Sequence, residues 1–157
     1  MWDLENRNYN DLVNEFMAVY YKDAAPAMRK YYDYIREVYA ALPDGGTGLI
    51  YAQLDTPSYY TFENMEQMDK YLDEALLAIE PLRKTDNELF SKLYYRIKKE
   101  NVSTLWLKLN TFSLYYKEDE IDNIALEFYY LTKHFGMEQY KEGVDTADMF
   151  YGFIREN

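Results

Sequence analysis

The chain has 157 residues, 48% of them apolar and 29% charged, with no cysteine and a formal net charge of −11. That length and balance fit one globular domain and argue against disorder. Without cysteine there is no disulfide framework, thiolate metal site or cysteine nucleophile, and the negative balance disfavours nucleic acid and anionic membrane surfaces, which are bound by cations.

Apolar spacing predicts a first helix over about Asn10–Tyr21, with Leu12, Val13, Phe16, Met17 and Tyr20 on its face and Asn10 as N-cap. A second helix is expected from about Ala24 to Leu42, capped by Asp23 and with Pro26 in its first turn. Only Lys22 and Asp23 separate the two, so they should form a tight pair. Pro43-Asp44-Gly45-Gly46-Thr47-Gly48 and Asp55-Thr56-Pro57-Ser58 break the pattern. A third helix runs from about Phe62 to Glu80 behind a Thr61 cap, and Pro81 ends it. Thr85-Asp86-Asn87-Glu88 reads as a capping box with Thr85 as cap. The fourth helix that it opens extends toward Tyr116. A step of five from Ile97 to Val102 suggests an irregularity near Asn101. A fifth helix spans about Glu120–Phe135 with Asp119 as cap, and Gly136 is its left-handed stop. A short sixth helix is expected over Thr146–Arg155. The fold expected is all-α: five to six helices in an up-and-down bundle or helical array, with one long connection around residues 43–61. Residues 1–157 read as a single helical domain.

The 19 tyrosines are the compositional anomaly. Six doublets occur, at residues 20–21, 31–32, 59–60, 94–95, 115–116 and 129–130. Neighbours on a helix point about 100° apart, so a doublet places one ring inward and one at the boundary. Wide helix interfaces are the favoured reading, because a tyrosine ring packs while its hydroxyl stays wet. A sugar-stacking or protein-docking surface is the functional one. Tyr59 and Tyr60 lie in the expected connection and are the candidate ligand contacts.

Catalytic signatures are missing. Glu118, Asp119, Glu120 and Asp122 form the densest carboxylate cluster. They sit at an expected helix start, where acids cap and complement the dipole. They do not have the alternating oxygen ligands and turn glycine of a calcium loop. His134 is the only histidine, too few for a multi-histidine zinc site. Gly45, Gly46 and Gly48 lack the Lys-Ser or Lys-Thr of a phosphate-binding loop. Met65 and Met68 read as core residues rather than a soft docking groove. No cofactor and no metal is expected. No apolar run approaches the roughly 18 residues of a membrane span. The acidic opening Met1-Trp2-Asp3-Leu4-Glu5 is unlike a cleavable signal, so a cytoplasmic protein or a piece of a longer one is expected.

The opening segment is more specific. Trp2-Asp3 is followed by Asp11-Leu12-Val13, Glu15-Phe16 and Tyr20-Tyr21-Lys22-Asp23-Ala24-Ala25-Pro26, with Tyr31-Tyr32 and Ile35 beyond. This stretch, roughly residues 2–40, resembles the segment after the catalytic-type barrel in bacterial proteins of the domain-of-unknown-function family numbered 4838. Those proteins are organised like α-glucuronidases and other glycan-acting hydrolases. The resemblance implies the C-terminal helical module of a larger, periplasmic or extracellular protein. Its catalytic residues would lie before Met1. Trp2 would be a barrel-junction residue, and Tyr20 and Tyr21 would belong to the same interface.

The leading expectation is a non-catalytic accessory module that packs on the barrel of its own polypeptide or mediates homodimerisation. A tyrosine-rich carbohydrate-binding module and a free-standing helical interaction domain are the alternatives. An independent enzyme ranks last.

Overall fold

The first helix starts where a side chain can satisfy its free amides. In the computed structural model, which describes residues 8–41, 60–141 and 144–155, that side chain is Asn8. Its Oδ1 accepts from the Asn10 amide at 2.8 Å, so the cap lies two residues before the expected Asn10. Helix α1 is Tyr9–Tyr21. A 3-10 turn, Lys22–Ala24, leads into α2, Ala25–Ala40, with Pro26 in the first turn and no side-chain cap. Asp23 is therefore part of the turn and does not cap. Lys22 is the one described non-glycine residue with positive φ, at 52°. That strained conformation lets two helices pack side by side with so short a link. Arg29 ties the pair together, donating to Asn10, Asn14 and Asp33.

Helix α3, Phe62–Ile79, is capped by Thr61, whose Oγ1 accepts from the Asn64 amide at 3.1 Å. It stops just before Pro81, and a single turn, α4 (Leu82–Thr85), follows. Helix α5 is Asn87–Asn110. Its cap is Asp86, which accepts from the Leu89 amide at 3.0 Å, and not Thr85. The Thr85 hydroxyl donates to the Pro81 carbonyl inside α4, and Glu88 engages Lys92. Thr85 belongs to the preceding turn and its hydroxyl is engaged there, which leaves Asp86 to accept from the third amide of α5.

Helix α5 does not continue to Tyr116. The amides of Thr111 and Phe112 both bond the Leu107 carbonyl, which turns the chain into a second 3-10 turn, Ser113–Tyr115. Phe112 then packs edge-on to Phe62 at 5.7 Å. Helix α6, Glu118–His134, has Lys117 at its N-cap position. Asp119 lies inside the helix, and the terminus is closed by Glu120, whose Oε2 accepts from the Lys117 amide at 2.8 Å. At the other end Gly136 has φ 65°. The Gly136 amide bonds the Lys133 carbonyl and the Met137 amide bonds the Thr132 carbonyl, which is the Schellman arrangement. A two-strand antiparallel ribbon follows, β1 (Gln139–Lys141) and β2 (Val144–Asp145), with Gln139 opposite Asp145. Helix α7, Thr146–Arg155, ends the description.

The fold is all-α, a helical array in which each long helix packs on the next: α1 on α2, α2 on α3, α3 on α5, α5 on α6 and α6 on α7. The expected connection at 43–61 lies almost wholly outside the described residues. Two apolar clusters hold the array. The larger gathers Tyr21, Met28, Tyr31, Met65, Leu72, Ile79, Leu93 and Ile97 from α1, α2, α3 and α5. The smaller gathers Leu105, Leu109, Ala125, Phe128 and Leu131 from α5 and α6.

Helix α5 serves both clusters, which explains the step of five in its pattern. There is no irregularity at Asn101; the helix is continuous. One stripe runs Leu93, Ile97, Asn101, Thr104 and Leu107, with the two polar members buried among the apolar ones. Val102, Leu105 and Leu109 begin a second stripe that faces α6. Two overlapping 3.6-residue periods look like a break in one.

Candidate functional site

Two surfaces stand out from the packed interior. The first is the outer face of α1. Tyr9 is 62% exposed, Phe16 55% and Val19 64%. With half-buried Leu12 they recur at three- and four-residue steps, so they form one stripe. The opposite stripe supplies Met17 and Tyr21 to the core. Phe16 stacks on Tyr20 at 5.2 Å. Arg96 of α5 lies 4.2 Å from the centroid of the Tyr20 ring and donates to the Tyr20 carbonyl at 2.5 Å. The exposed stripe is thus backed by rings and a guanidinium that hold it in place.

The second surface is an open groove of about 630 Å³ along α3, lined by Phe62, Glu63, Glu66, Gln67, Asp69, Lys70 and Asp73. Beside it runs a chain of polar contacts that crosses three helices. Lys108 of α5 pairs with Asp69 of α3, the two side chains being 15% and 19% exposed. Asn101 donates to Asp69 at 3.5 Å and to the Thr104 hydroxyl at 2.7 Å. Lys98 donates to Asn101 at 3.3 Å and to Glu127 of α6 at 2.5 Å. Lys98 and Lys108 of α5 therefore each meet a carboxylate from a helix beside it. At one end of the groove Phe62 stacks on Tyr115 at 4.3 Å and 16°. Tyr115 is 65% exposed.

Among the described residues, no group of three or more histidine and carboxylate side chains could hold a metal ion. Of the acidic run at the start of α6, Glu120 caps the helix. His134 stacks on Tyr95 of α5 at 3.8 Å and 14°. No described helix is long and apolar enough to cross a membrane.

The described tyrosine doublets divide as helix geometry requires. Tyr21 and Tyr31 are buried while Tyr20 and Tyr32 are half-buried; Tyr94, Tyr116 and Tyr129 are more buried than Tyr95, Tyr115 and Tyr130. The hydroxyls of Tyr21 and Tyr32 lie 3.1 Å apart. Burial raises the pKa of Tyr21 from 10.0 to about 12. Burial likewise pushes Tyr31, Tyr32, Tyr60 and Tyr116 upward. The folded chain therefore holds phenolic protons that the unfolded chain releases. The linked stabilisation is complete below pH 10 and is lost as pH rises through the folded values. Urea midpoints should accordingly fall between pH 10 and 12, with late, cooperative growth of tyrosinate absorbance; the reference and folded values for Tyr21 bracket that window. Midpoints that hold steady across it would contradict this assignment.

Of the residues that the sequence singles out, Trp2 and Tyr59 lie outside the described residues. Tyr60 is half-buried against the larger cluster, with its ring edge-on to Tyr39 at 6.1 Å. Tyr20 borders the exposed α1 stripe, stacked on Phe16, whereas Tyr21 turns into the core and is no part of that surface; their rings are at right angles and 4.8 Å apart. Sequence reasoning did not single out the α3 groove: its lining residues, Phe62 to Asp73, all lie on one helix, where the charges read as a solvated face. Comparison of the chain with protein-family models, with curated proteins and with solved structures returned no match.

Proposed function

We propose that this chain is a non-catalytic helical module that packs, through the outer face of α1, against a larger domain of the same polypeptide. The setting proposed is that of its opening segment: a glycan-acting, glycoside-hydrolase-like protein whose barrel precedes the module. The carrying observation is the exposed stripe Tyr9, Leu12, Phe16 and Val19, large apolar side chains on the first described helix. That helix lies within the stretch that resembles the family. An apolar stripe on a helix is normally turned to a core, and a contiguous exposed one marks an interaction surface.

The DNA upstream of codon one gives the first test. An in-phase barrel-coding region supports the reading, and a stop codon closely preceding Met1 with no barrel overturns it. With the barrel in hand, it should bind the isolated module, and Phe16→Ser with Val19→Ser should weaken that binding at least tenfold. Both side chains are exposed, so circular dichroism and the urea midpoint should stay close to those of the parent. Light scattering that shows a dimer, dissolved by the same two substitutions, would assign the face to a second copy instead.

A further inference from the structure

We propose that the groove along α3 binds a basic, extended peptide segment, with a lysine or arginine side chain seated between the Tyr115 ring and the carboxylates of Glu63 and Glu66. The chemistry is already present one step deeper in the same wall. There the chain's own Lys108 ammonium lies 6.0 Å from the centroid of the Tyr116 ring and pairs with Asp69. Asp69 also lines the groove, and the Tyr116 ring stands 6.0 Å from that of Phe62 at the groove's end. At the outer end the same elements recur without an ion pair among the described residues, Lys70 being the one lysine of the lining. Tyr115 offers an exposed ring braced on Phe62, and no ion pair engages Glu63 or Glu66 among the described residues.

An aromatic face beside a carboxylate favours ammonium and guanidinium groups through ring and charge together. The overall charge of −11 steers cations toward the surface as well. The groove's length selects a peptide. From Phe62 to Asp73 a helix rises roughly 16 Å, the span of about five extended residues.

The test is fluorescence polarisation with a labelled five-residue peptide of alternating arginine and glycine, at low and at high salt. Binding should weaken with salt. Glu63→Gln together with Glu66→Gln should lower affinity about fivefold or more, and Tyr115→Ala about threefold. Glu37→Gln removes an exposed charge from α2 and should change affinity less than twofold. Circular dichroism checks that each variant folds. If Glu37→Gln costs as much as Glu66→Gln alone, or Tyr115→Ala has no effect, the peptide is only attracted to an acidic surface and the site is refuted. Spermidine that competes as well as unlabelled peptide at equal charge would refute the commitment to a peptide.

Discussion

Phe128→Ala is expected to be among the most damaging single substitutions in the chain, costing about 3–5 kcal/mol. Phe128 is buried at the centre of the smaller cluster, where it joins α6 to Leu105 and Leu109 of α5. Among the described residues that cluster has five buried members, so few of them can move in to fill the space left by a ring. The cavity term therefore adds almost fully to the lost transfer energy. For a chain of this size the melting temperature should drop by about 6–20 °C. Hydrogen exchange should show α6 and α7 losing protection before α1–α3, because α7 packs on α6 and loses its support with it. Uniform loss of protection across the chain would show instead that the two clusters unfold as one.

Breaking the Asp69–Lys108 pair should cost about 2–3 kcal/mol, and removing both partners together should cost less than either single change. Both side chains are mostly shielded, so Asp69→Ala leaves an ammonium poorly hydrated and without its partner. Lys108→Met does the same to the carboxylate, which keeps only the weak 3.5 Å contact from Asn101. The figure lies below the 3–5 kcal/mol of a fully buried pair because water reaches part of each group. Asp69→Leu combined with Lys108→Met replaces two desolvated charges with apolar bulk, and should return to within about 1 kcal/mol of the parent. A double-mutant cycle by urea unfolding measures the coupling. Additive costs would mean that the pair is hydrated and contributes little.

Local chemistry was legible wherever its partners lie within one turn. Thr61 caps α3 and Gly136 takes the left-handed stop, because each bond connects residues a few positions apart or depends on one residue's own φ. The errors arose where two local solutions compete. Asn8 and Asn10 can each cap α1, and Thr85 and Asp86 can each cap α5; the sequence contains both members of each pair. The small ribbon β1–β2 was missed because strands of three and two residues carry no periodicity to read.

The candidate surfaces were less legible than the helices. Helix α1 is apolar around much of its circumference, and the face expected from spacing, Leu12, Val13, Phe16, Met17 and Tyr20, is only partly the one that turns inward: Phe16 stays exposed. Packing on α2 and the 3-10 turn decided that, placing Met17 and Tyr21 inside and leaving Phe16 and Val19 outside. The polar chain beside the groove required Asp69, Lys98, Asn101, Lys108 and Glu127 to meet from three helices.

By itself, the sequence determined an all-α chain, the approximate span of each long helix and the boundary role of the tyrosines. All of these follow from spacing and composition, which act over one or two helical turns. Tertiary structure alone decided that α5 serves two cores, that its lysines pair with acids of both neighbouring helices, and which apolar stripe stays exposed. Those outcomes depend on which helices come to lie side by side, and periodicity within one helix carries no record of its neighbours.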